Sequence, residues 1–154
     1  MNYNSVLHQI EMAIDTILKI MDQLTEEDLQ KRPTNNKHSI GELLEHLAVL
    51  CEADWHIANG ATQEEMQNFY YSISYKTLHD IRLGLQHHFQ QIKRNCEYLS
   101  DEDWLQPATS YWGVTYTRYE WLLETLGHFY HHRGQLHAML VHCLNKDPGI
   151  PMFE

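Results

Sequence analysis

The chain has 154 residues, of which 43% are hydrophobic and 21% charged, enough to bury roughly 70% of the unfolded surface in a real core without metal or disulfide staples. Its 21 acidic and 11 basic residues leave a net charge of −10, a surface that repels phosphate, and the densest basic stretches are only the pairs Lys31-Arg32 and Lys93-Arg94; nucleic acid and anionic membranes are excluded as expected partners. Fully apolar runs reach about five residues against the ~20 a membrane helix needs, and the first residues lack a signal-peptide pattern, so a cytoplasmic protein is expected.

Residues 3–24 carry Val6, Ile10, Ala13, Ile14, Ile17, Leu18, Met21 and Leu24 at helical spacing, which predicts a first amphipathic helix. Thr25-Glu26-Glu27-Asp28-Leu29 reads as a capped turn, and Pro33 to Lys37 as a loop. Ser39-Ile40-Gly41-Glu42 is a capping-box pattern that opens a second helix over 39–59. A polar connector to about Ser74 leads to a third helix over 75–99, striped by Leu78, Ile81, Leu85, Phe89, Ile92, Cys96 and Leu99.

Ser100-Asp101-Glu102-Asp103 repeats the acidic cap of residues 25–28. The stretch from Pro107 to about Thr117, with Tyr111, Trp112 and Tyr116, reads as irregular or extended, and a fourth helix follows over 117–144 until Asp147-Pro148-Gly149 stops it. Four long helices without a competing strand pattern predict an all-α four-helix bundle filling one domain, residues 1–154.

Histidine is over-represented, with 12 residues. His128 and His132 are four apart, so their rings project from one helix face and are spaced to share a metal ion. No Glu follows His128, which removes the general base of an HExxH zinc protease. A third ligand must come from another helix. His46, among Leu43, Leu47 and Leu50, lies on the core-facing arc of the second helix.

A lone histidine on an apolar face is ordinarily a hydrogen-bonded core residue. A pair four apart can also arise by chance in so histidine-rich a chain. Spacing alone therefore leaves both readings open. Gln135 and Glu124 fall near the histidine arc as candidate orienters of the imidazoles, and His131 flanks it. Arg133 points away and is expected in a structural ion pair. His8, His56, His79, His87 and His88 are expected on solvated or partly buried faces. The three cysteines, unpaired by spacing, are expected reduced, with Cys51 and Cys143 in the core and Cys96 on an apolar stripe.

Two segments resemble the DinB-like (YfiT-like) family of metal-dependent enzymes. Arg32-Pro33 followed by Ser39-Ile40-Gly41-Glu42-Leu43-Leu44-Glu45-His46-Leu47 is similar to the family's Pro, Ser-Ile and later His. His128-Phe129-Tyr130-His131-His132-Arg133-Gly134-Gln135 is similar to its HxxxHRGQ signature. The resemblance spans nearly the whole chain. It implies a four-helix bundle with long crossover connections and one divalent metal ion, zinc, nickel or iron, held by His46, His128 and His132. It further implies an enzyme of the small-thiol, bacillithiol-type S-transferase class, acting on a small molecule, and a homodimer. Nothing in the chain resembles the DNA polymerase that shares the family's name.

In that reading Glu42, Glu124 and Gln135 would orient ligands, and His131 would bind the thiol or relay a proton. Two readings compete: a metal-dependent hydrolase and a non-catalytic metal-binding stress-response protein. A substrate-sized pocket beside an open metal position favours an enzyme, whereas a fourth protein ligand favours the binding module.

Overall fold

In the computed structural model, which describes residues 2–153, the apolar stripe of the first segment becomes one face of α1 (Tyr3–Met21), with Ile10, Ala13, Ile17 and Ile20 fully buried. The helix stops three residues short of the expected end because Asp22 and Gln23 close a turn that leads Leu24 back to the core. A 3-10 turn (Asp28–Gln30) follows. Its Asp28 accepts from the Thr25 amide at 2.8 Å and from Lys31 Nζ at 2.7 Å and Lys146 Nζ at 2.6 Å. Burial of that carboxyl favours its neutral form, but the two ammonium groups and the Thr25 hydrogen bonds outweigh it and hold the acid well below its ordinary range.

The Ser39–Glu42 capping box forms as the sequence requires, with Glu42 N donating to Ser39 Oγ at 3.1 Å and Ser39 N donating to Glu42 Oε2 at 2.8 Å. It opens α2 (Ile40–Ile57). A Cβ on Gly41 would stand 2.9 Å from the Leu29 carbonyl oxygen, so glycine lets the 3-10 turn lie directly on the first turn of α2. The polar connector holds a further helix, α3 (Gln63–Ser72), capped by Thr62 and Glu65. The third long helix is α4 (Leu78–Glu97), capped by Thr77.

The second acidic cap opens a single-turn helix, α5 (Asp101–Leu105), which buries Trp104. The extended stretch is a small antiparallel hairpin of β1 (Pro107–Thr109) and β2 (Thr115–Thr117), with Ala108 opposite Tyr116 and Gly113 at φ +93° in its turn. The last long helix, α6 (Arg118–Ala138), widens into a π-helical turn (Met139–Cys143).

Each long helix packs on two others, α1 and α2 each lying against both α4 and α6. The bundle therefore runs α1, α6, α2, α4 around its core. A smaller cluster of Ala53, Ile57, Ala58, Met66 and Trp121 joins α3 and the hairpin to the end of α2. Among the described residues no helix is long and apolar enough to cross a membrane.

Cys51 and Cys96 are buried, but Cys143, expected in the core, is exposed. It lies in the π-helical turn, which takes more residues per turn, so a register continued at 3.6 misplaces it.

Candidate metal centre

The packing of α2 against α6 brings together one imidazole from α2 and two from consecutive turns of α6. One ligand atom from each of His46, His128 and His132 falls within a set whose members all lie within 4.8 Å of one another. Ring centroids are 5.1 Å apart for His46 and His128, 4.7 Å for His46 and His132, and 4.8 Å for His128 and His132. His46 Nε2 and His128 Nε2 face each other at 3.3 Å. Two nitrogens bound tetrahedrally to zinc at ~2.05 Å stand about 3.3 Å apart, so the pair already has the spacing of a shared ion.

The remaining ring nitrogens have partners that fix which nitrogen faces inward. His128 Nδ1 donates to Asp54 Oδ2 at 3.2 Å, and His132 Nδ1 donates to Gln135 Oε1 at 2.9 Å. With Nδ1 protonated, each Nε2 presents a lone pair, the arrangement that partners of a metal-binding histidine impose. Gln135 takes the orienting place expected of it. Asp54, two turns beyond His46 on α2, was not singled out by spacing, although an acid at that distance on the same helix was the available signal.

Glu124 is exposed and acts on His128 only through its charge. Glu42 is engaged elsewhere, pairing with both terminal nitrogens of Arg32 at 2.8 and 2.7 Å and capping α2, so it does not orient an imidazole. His131 is exposed, its ring 4.8 Å from that of His132.

The electrostatics suit a cation. Burial, then the neighbouring His132, His128 and His38, pushes the His46 pKa down to about 4. His132 is also lowered, by burial first, against the Gln135 hydrogen bond. Burial pulls His128 down as well, but its hydrogen bond to Asp54 and the charges of Asp54 and Glu124 outweigh it, and the net direction is up. Two of the three rings are thus neutral near pH 7 and free to donate electron pairs.

A cavity of about 800 Å³ adjoins the cluster. His46 lines it, with Lys37, His38, Glu45, Tyr70 and Lys76 among its other walls. His38 precedes the cap of α2, a place that spacing did not mark. His88, expected on a solvated or partly buried face, is instead 4% exposed. Its Nδ1 meets the Glu52 carboxylate and its Nε2 lies 2.9 Å from the Tyr75 hydroxyl. That chain ties α2 to α4 and stands apart from the three-histidine set.

A family model described as the DinB superfamily matches residues 9–136. The structure is similar to that of a protein assigned to the DinB family from Exiguobacterium sibiricum 255-15, at 32% identity and a TM-score of 0.84, covering 99% of each chain. It is also similar in fold to a DinB-like protein from Bacillus cereus ATCC 10987, at 16% identity, TM-score 0.70 and 89% of each chain. The same holds for a DinB-like protein, YjoA, from Bacillus subtilis, at 13% identity, TM-score 0.66 and 86% of each chain. A search of curated proteins finds no match.

Proposed function

The chain belongs to the DinB superfamily, and on that premise we propose that it is a metal-dependent enzyme that transfers a small, bacillithiol-type thiol to an electrophile. His46, His128 and His132 would hold its one divalent ion, zinc, nickel or iron. The observation that supports this reading is the convergence of three imidazoles beside a substrate-sized cavity. No fourth His, Cys, Asp or Glu joins the group among the described residues, which leaves a position for substrate and argues against a closed binding module. A divalent ion held by these three histidines would supply the positive charge that lowers the pKa of an entering thiol toward neutrality.

The chain's own residues do the rest. Asp54 and Gln135 hold the rings of His128 and His132 with Nε2 inward. His38 lines the cavity beside His46, where a neutral imidazole would accept the thiol proton. Lys37 in the cavity wall attracts anionic substrate groups, whereas Lys76 is paired with both oxygens of Glu45 at 2.8 Å.

The test is conjugation of a model electrophile by bacillithiol and by other small thiols. Wild type, metal-stripped protein and His132→Ala are compared. A thiol-dependent rate that disappears on stripping and in the variant is expected. Turnover of an ester or amide without thiol would instead establish the hydrolase, and no turnover in either assay would refute the enzyme reading.

A further inference from the structure

Arg133 neighbours His132 in sequence but faces α1, not α2, and it is 3% exposed. No carboxylate pairs with it among the described residues, contrary to the ion pair the sequence suggests. Its one side-chain acceptor is Thr16 Oγ1, 3.4 Å from Nη1. Its guanidinium lies 4.2 Å from the centre of the Tyr130 ring and 5.0 Å from that of Phe153. A guanidinium carries five N–H donors in a planar fork, and most of those of Arg133 meet no acceptor among the described residues. Ring faces offset only part of a buried charge.

The guanidinium borders a cavity of about 420 Å³ between α1, α6 and the C-terminal segment. That is within the ~300–1,000 Å³ range of small-ligand sites. Lys19 supplies a second cation to it, and Thr16 and Gln9 supply polar atoms. Among the described residues none that lines it is acidic, in a chain with 21 acidic and 11 basic residues. Met12, Met152 and Phe153 make the rest of the wall apolar. The segment that brings Met152 and Phe153 there is tied down, with Gln23 Nε2 donating to the Pro148 carbonyl at 2.9 Å and Lys146 bound to Asp28.

We propose that this cavity is a second binding site, for a small organic anion. Its oxyanion head, carboxylate or phosphate, takes both arms of the Arg133 fork with Lys19 alongside, and its apolar body rests on Met12, Met152 and Phe153. Paired N–H···O bonds of that kind are the arrangement guanidinium geometry favours. The site uses none of the three histidines, so it stands or falls independently of the metal reading.

The experiment is titration of metal-stripped protein with benzoate, phenyl phosphate and uncharged benzamide, followed by thermal unfolding and by backbone amide shifts at Thr16, Arg133 and Gly134. Saturable binding of at least one anion with a rise in Tm, and none for benzamide, is expected, and the stronger anion identifies the head group. Arg133→Met should weaken binding by at least about tenfold. Lys19→Met, an exposed change that leaves the core intact, should weaken it by about threefold to fivefold. The proposal is overturned if neither anion saturates by about 10 mM, beyond the weak end of specific binding. It is equally overturned if benzamide binds as well as the anions, or if Lys19→Met binds them like wild type.

Discussion

Asp54 Oδ2 accepts a hydrogen bond from His128 Nδ1 at 3.2 Å, and Asp54 stands on the same helix as His46. The helix that offers one imidazole therefore also orients another, across the α2–α6 contact. Asp54→Ala removes the acceptor and leaves the ring free to turn. Metal affinity should fall by about 10- to 100-fold, the usual cost of losing such a partner, with the helical circular dichroism unchanged. Competition with a chelator of known affinity measures it.

His46→Ala, His128→Ala and His132→Ala should each abolish tight metal binding, since two imidazoles make a weak site. His87→Ala, at an exposed position of α4, should not. Elemental analysis after gel filtration reads the outcome, and full metal content in all three ligand variants would refute the assignment.

Metal affinity should depend on pH with the stoichiometry of a single proton. His46 is held down to about 4 and His132 is also lowered, so protons compete with a metal at these two rings only at lower pH than at His128. His128 is raised above its ordinary value and must lose a proton on binding. As pH falls through the raised His128 pKa, log Kd should climb with a slope of about one per pH unit. Calorimetry in buffers of different ionisation heat counts the protons, and a slope near three would mean that the rings titrate alike.

Asp28 links the turn after α1 to the segment after α6. Its folded pKa is lowered, so the unfolded chain binds the proton more tightly. The stability this acid contributes is complete above the unfolded value of ~4 and is lost as pH falls through the folded one. Asp28→Asn should cost about 2 kcal/mol at pH 7, a Tm loss of about 4–8 °C for a chain of this size. It should also flatten the stability profile below pH 4. Thermal melts from pH 2 to 7 test both.

The hairpin leaves Tyr111, Trp112 and Tyr116 47%, 52% and 40% exposed on one small surface. We propose that a second copy covers these rings. Light scattering should give the mass of two chains, and Tyr111→Ser with Trp112→Ser should return it to one. A monomer at high micromolar concentration refutes this.

The four long helices were legible because each carries an apolar stripe with a cap before it. The ends moved by up to three residues where turns, not periodicity, decide them, as at Asp22 and Thr77. The helix α3 escaped the pattern because only Met66 of its ten residues is buried, leaving almost no stripe to see. Its Thr62–Glu65 capping box was as plain as that of Ser39 and Glu42. The three histidines were readable from an i,i+4 pair and an arc on α2. Their partners were readable only when local: Gln135 is three residues from His132, whereas Asp54 reaches His128 across 74 residues of chain. His88 went unread for the same reason, since its environment is made by Glu52 and Tyr75 from other segments.

The facing nitrogens of His46 and His128 are separated by 82 residues along the chain. An ion gripping both would behave as a reversible cross-link, closing a loop that takes in α3, α4, α5 and the hairpin. The unfolded chain does not hold those nitrogens together, so the ion would bind the folded state alone and favour it by mass action. The protein's melting temperature would then follow free metal concentration, with ion at 100 times its Kd adding about 2.7 kcal/mol. Scarcity of the ion would then be felt as lost stability of the fold that packs α2 on α6.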